Sequence, residues 1–217
     1  MARRSPATAG RRRLIPDIGF LFNSYVFLRS VHGSCSLLAR QHRPFRPVID
    51  QETFQYLLPL ACQWAKTQEE FVLARGVPLR PGQIVDARRV GVQDCSRVKV
   101  LVVDRIPLPD NKELAEAARY TQIITAACRG VAIGHAIIIR ADSWGDRELL
   151  LHQLVHVAQC EQTGGLEHWI QRYLNDRHNC TKFTIGCLEE EARGLAREIC
   201  AADQLKKLES GSHSRFS

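Results

Sequence analysis

His152-Gln153-Leu154-Val155-His156 is the part of this chain whose residue types and spacing could do chemistry. It sits inside Glu148 to Cys160, where Leu150, Leu151, Leu154, Val155 and Val157 carry a helical apolar period. Histidines at i and i+4 of a helix lie one turn apart, ~6 Å along the axis and only ~40° round it. Both imidazoles can then face one metal ion and occupy two of the four tetrahedral positions that zinc favours. The spacing alone is weak, since eight histidines in 217 residues would produce about 0.3 such pairs by chance. The setting adds weight. The leucines around the pair predict a largely buried helix, where two neighbouring histidines require partners. An Ile-rich strand ends about a dozen residues upstream, as expected if an edge strand lies over the metal helix. The acidic run Glu189-Glu190-Glu191 opens a later helix and can supply a third ligand. Cys160 shares the histidine face but lies ~12 Å along the axis from His152, too far to join it on one ion.

The elements that must position these residues follow from periodicity and punctuation. Arg43-Pro44-Phe45-Arg46-Pro47 reads as an extended linker. Asp50 can cap a long helix to about Arg75, with Phe54, Leu57, Leu58, Ala61, Ala65, Phe71 and Leu73 on its apolar stripe and a kink or break at Pro59. Pro78 to Gly82 is a turn, and Gln83 to Val90 a short helical segment. Val98 to Val103 reads as a buried strand and Glu113 to Tyr120 as a helix. Val131 to Arg140 is either two short strands or one strand with a bulge at Gly134. Ser143 and Asp146 can each cap the histidine helix, which Gly164-Gly165 ends. Helices over Leu166 to Leu174 and Leu188 to Leu208 follow, the latter with Leu188, Ala192, Leu195 and Ile199 on one stripe. Strands preceding helices in one unit of about 160 residues make the class α+β.

Composition narrows the function classes. The net charge of +7 is concentrated at one end: residues 1–49 hold nine arginines, no lysine and one acid, while the remaining 168 carry 21 basic and 22 acidic groups. A nucleic-acid module would need its basic surface on the folded part, so no nucleic-acid partner is expected. Residues 1–46 read as an Arg-rich, mobile leader or targeting segment. Arg3, Arg4 and Arg11 to Arg13 before Ile18 to Leu28 resemble an export signal, but Asp17 and Asn23 dilute the apolar stretch. No run reaches the ~20 apolar residues of a membrane span. Eight cysteines without a CxxC spacing point to free thiols in a reducing compartment, so a cytoplasmic location is the expectation, with export through the leader left open. Residues 209–217 read as a disordered tail.

The segments Leu150 to Glu161, Gly164-Gly165-Leu166 and Leu188-Glu189-Glu190-Glu191-Ala192 together resemble the HELVHVxQYExLGG…PLExEA pattern of bacterial zinc-metallopeptidase-like proteins of the gluzincin type. The resemblance continues upstream through Asp86 to Val92, Val102 to Pro109 and Ile137 to Gly145, so that it covers roughly residues 50–205. It implies a zincin-like metallopeptidase domain over 47–208, with a small sheet whose edge strand lies over the metal helix and C-terminal helices behind. It also implies a Zn²⁺ ion held by His152, His156 and Glu189, with Glu191 as the fallback ligand, and a peptide or protein substrate or partner. Glu190 and Glu191 otherwise read as a solvated first turn favoured by the helix dipole.

One departure outweighs the matches. Where the pattern has the glutamate of HExxH, this chain has Gln153. That glutamate takes a proton from the metal-activated water and hands it to the leaving group, which an amide cannot do. The expectation is a zinc site without effective peptide hydrolysis, inactive or trapped, or else a non-catalytic zinc-containing module that binds a peptide or partner. Cys160 for Tyr and Cys187 for Pro are milder departures. Elsewhere, His135 reads as a structural histidine, His168 and His178 lack any spacing logic, and Asp146 and Glu148 read as helix-start residues. Neither GxSxG, nor a P-loop, nor GxGxxG occurs.

Overall fold

A computed structural model describes residues 49–125, 127–178 and 186–213; the Arg-rich leader over 1–46 and the last four residues of the tail lie outside the described residues. Helix α1 (Gln51–Arg75) starts where Asp50 accepts a hydrogen bond from the Thr53 amide at 2.9 Å. It runs on through Pro59 as one helix, so the predicted interruption does not occur. The buried residues are Phe54, Leu57, Ala65 and Val72. Phe71, assigned from the sequence to the apolar stripe, is instead exposed and lies under the Arg75 guanidinium, 4.1 Å from ring centroid to carbon. The helical period brings Val72 rather than its neighbour onto the sheet.

The segment read as a turn after α1 contains a two-residue strand, β1 (Val77–Pro78), before α2 (Pro81–Arg89). Strand β2 (Lys99–Val103), α3 (Lys112–Tyr120), β3 (Gly130–Ile133) and β4 (Ala136–Arg140) follow. The sheet order is β1-β2-β4-β3, with β2 parallel to β4 and the other pairs antiparallel. Of the two readings of 131–140, the pair of strands is the one observed. Gly134, at φ +60°, opens a two-residue turn with His135. The positive φ is what favours glycine here, and a Cβ would also displace the Glu69 carboxylate from α1.

Strand β4 is the hub. Ile137 and Ile139 enter the main core with Leu151 and Leu154, while Ala136 and Ile138 face the other way onto Val72. Burial on both faces explains the unbroken isoleucine run, each side chain contributing about 1.5–3 kcal/mol. It also corrects the sequence reading: the Ile-rich strand is interior, and β3 is the edge that packs against the histidine helix.

Helix α4 (Arg147–Gln162) begins at Asp146, whose carboxylate accepts from the Leu149 amide at 3.0 Å. Ser143, the other candidate cap, lies in a 3-10 turn and accepts from Arg129 Nε at 2.9 Å. Helix α5 (Leu166–His178) and α6 (Cys187–His213) complete the fold, α6 lying along α4. Both outrun their sequence patterns. In particular α6 continues to His213, so residues 209–213, read as disordered tail, are helical. Lys206, Lys207 and Glu209 after Leu205 are good helix formers even without an apolar stripe to mark them, although Ser210-Gly211-Ser212 are not. The class is α+β, although three helices precede or separate the strands rather than all following them. No helix of the described residues is long and apolar enough to cross a membrane.

Arg147 ties three of these helices together. It meets buried Asp86 of α2 in a bidentate pair at 2.8 and 2.6 Å and Asp203 of α6 at 2.7 Å. Arg89 holds Asp203 from the other side at 2.7 Å. Removing one member of a fully buried ion pair costs about 3–5 kcal/mol. Because the Arg147 side chain is 41% exposed, the expected loss for Arg147→Ala is nearer about 2 kcal/mol, read as a lower urea midpoint. An unchanged midpoint would show that Asp86 is solvated without its partner.

Candidate metal centre

The helical period of α4 turns His152 and His156 toward α6, and the first turn of α6 presents Glu189 to them. The Nε2 atoms of the two histidines are 3.2 Å apart. Glu189 Oε1 lies 3.4 Å from His152 Nε2, and Oε2 lies 3.4 Å from His156 Nε2. All three residues are substantially buried, with His156 at 6% and Glu189 at 8% exposure. An ion bonded at ~2.0–2.1 Å to three donors at tetrahedral angles needs them about 3.3–3.4 Å apart. The two histidine nitrogens are close to that separation, each lies at it from a different oxygen of Glu189, and this group could hold a metal ion.

Two of the three donors, His156 and Glu189, have supports. His156 Nδ1 and Gln159 Oε1 are 2.9 Å apart, while Gln159 Nε2 donates to the Leu188 carbonyl at 3.1 Å and to Glu191 at 2.9 Å. With its amide nitrogen committed to two acceptors, Gln159 must accept from His156 Nδ1, which leaves the Nε2 lone pair for a metal. Glu189 is gripped from outside on both oxygens, by Arg193 Nε at 3.2 Å on Oε1 and by the Tyr173 hydroxyl at 3.2 Å on Oε2. The Tyr173 ring also stands edge-on to His156, with centroids 5.7 Å apart.

The electrostatics agree with ligands in their metal-ready forms. Burial, and then the neighbouring His156, push the His152 imidazole down to about 4. Burial alone would raise the Glu189 carboxyl, but its contacts with His156 and His152 and the charge of Arg193 outweigh it and hold it well below the usual range. Burial, followed by Glu189, raises the Tyr173 phenol, which therefore stays a donor. Both depressed groups bind fewer protons folded than unfolded, so stability is lost as pH falls. For His152 the window runs from 6.5 down to about 4, with a loss of up to about 3 kcal/mol. Glu189 adds to the loss below 4.5. Urea unfolding of the metal-free protein at pH 7 and pH 4.5 should show this decline, and His152→Gln should flatten it. An equal slope in the variant would place the acid sensitivity elsewhere.

The remaining candidates separate clearly. Glu190 and Glu191 lie outside the cluster: both are exposed, and Glu191, the fallback, accepts from Gln159. The inward faces of Ala192 and Ala196 share the Glu189 side of α6, as its register requires. Gln153 is 3% exposed, and its Nε2 lies 3.4 Å from where a Cβ on Gly130 of β3 would stand. No hydrogen bond reaches its amide among the described residues. His135 is a structural residue: its Nε2 lies 3.0 Å from Glu161, and its backbone amide donates to Glu69 at 2.9 Å. His168 is exposed, His178 stacks on Phe54, and Glu148 faces Arg197 at 3.5 Å. The Cys160 thiol, pushed up to about 12 chiefly by burial, packs with Trp169 and Leu188.

Sequence reasoning missed the supports. Gln159, three residues after His156, and Arg193, four after Glu189, carry a helical-spacing signal that could have flagged them. Tyr173 carries none, because α5 brings it in from a separate element. Compared with known protein families, with curated proteins and with solved structures, the chain finds no match.

Proposed function

We propose that this chain is a zincin-like, metallopeptidase-type protein that binds Zn²⁺ through His152, His156 and Glu189, and that Gln153 deprives it of the general base for peptide hydrolysis. The observation that carries the reading is the meeting of three donors from two helices at 3.2–3.4 Å, with His156 and Glu189 each held by its own orienting partner. Two imidazole nitrogens and a carboxylate oxygen are a donor set that suits zinc. When bound, zinc supplies Lewis acidity and lowers the pKa of water at its remaining position.

The chain's own residues do the rest. Gln159 selects the His156 tautomer, Tyr173 and Arg193 hold Glu189 in place, and β3 borders the site on the side of Gln153. Gln153 can donate to and accept from a ligand but cannot carry a proton away. That same residue favours a second reading, a zinc-containing module that grips a peptide or partner without cutting it. The six described cysteines are free thiols, which supports a reducing, cytoplasmic setting for either.

The test is the zinc content of the purified, untagged protein by plasma mass spectrometry after dialysis without strong chelator. The expected result is about one zinc per chain, as a three-donor site with one open position requires. Essentially no metal under zinc-replete conditions would overturn the ligand assignment.

A further inference from the structure

Gln153 lies in α4 between the two histidines of the centre. Its side chain is 3% exposed, it flanks the histidine pair, and its amide has no hydrogen-bond partner among the described residues. The amide itself keeps some contact with solvent, so a group from outside the chain can reach it and pair with it. Gly130 of β3 borders the amide: a Cβ there would lie 3.4 Å from Gln153 Nε2, an ordinary contact distance.

The charge of the centre says what that partner is. Two neutral histidines, one glutamate and a divalent ion leave a single net positive charge, and Arg193 adds another beside Glu189. A carboxylate at position 153 would cancel the first and repel an anion. The Gln153 NH₂ instead donates, and a donor bond to an ionised oxygen is roughly twice as strong as one to a neutral carbonyl. We propose that this centre is a carboxylate receptor, with one ligand oxygen toward the metal and the other accepting from Gln153 Nε2. The inference rests on the metal-binding reading above. The carboxylate belongs either to a peptide C-terminus lying along β3 or to a small organic acid.

The experiment uses the full chain loaded with Co²⁺, whose visible absorption changes when a ligand enters its coordination sphere. The probes are 3-phenylpropionate and its amide, and N-acetyl-trialanine and its C-terminal amide. Each acid should bind about tenfold to a hundredfold more tightly than its amide, the range of a hydrogen bond to a charged group. Gln153→Glu should lose that preference while its cobalt content stays the same. Stronger discrimination in the peptide pair would identify a chain terminus as the ligand, and stronger discrimination in the small pair an organic acid. Acids and amides that bind alike, or a Gln153→Glu variant that keeps the wild-type preference, would overturn the proposal and leave the metal reading intact. A chain that takes up no cobalt would overturn both.

Discussion

Replacing Gln153 by glutamate is expected to raise hydrolysis of a mixed peptide pool by about 10²–10⁴-fold, the usual contribution of a positioned general acid–base group. The change is nearly isosteric, so the packing of α4 against β3 is kept and only the ability to take and return a proton is added. The new carboxylate would be as buried as the amide it replaces, at 3% exposure, and a cation held by His152, His156 and Glu189 is what would keep it ionised there. Mass-spectrometric detection of new termini in the pool, with wild type run beside the variant at equal zinc content, is the measurement. Turnover would identify a peptidase scaffold lacking a single group. Absence of turnover with zinc still bound would favour the binding module.

The second large effect concerns the metal itself. His156→Ala should bring the zinc content from about one per chain to near zero, because two donors no longer define a site. In wild type, zinc at a hundred times its dissociation constant should stabilise the fold by about 2.7 kcal/mol, and this increment should vanish in the variant. The metal-free variant should also be weaker by about 1–3 kcal/mol. It leaves Gln159 Oε1 without its donor and opens space beside Trp169 and Tyr173. Thermal unfolding with zinc and with chelator, for both proteins, separates the two contributions. A wild-type midpoint indifferent to zinc would instead mark the cluster as a metal-free structural remnant.

Much of this centre is legible in the amino-acid sequence, and the part that is not has a common cause. The histidine helix stands out because its signals are local: an apolar period of about 3.6, an acidic cap at Asp146 and two glycines after its end act within a few residues of one another. The same locality lets the register of α6 turn Glu189 inward, since Ala192 and Ala196 face inward with it. Helix ends are less secure, as α5 and α6 show, because propensity can carry a helix past its last buried residue.

What the tertiary structure alone decided is which distant segments meet. The isoleucines of β4 mark a strand buried on both faces, but its place inside the sheet depends on β2 pairing with it in parallel and β3 folding back along its other side. The donor on Glu189 Oε2, the acceptor on His156 Nδ1 and the partners of Arg147 likewise come from neighbours chosen by packing. The type and local spacing of residues thus marked the histidine pair and the glutamate run, while the choice of Glu189 and the weight given to Gln153 came with the resemblance to the metallopeptidase-like pattern. The distances and supports of the donors depend on the packing of α4, α5 and α6, because burial and hydrogen-bond satisfaction are settled between elements and leave no periodic trace within one.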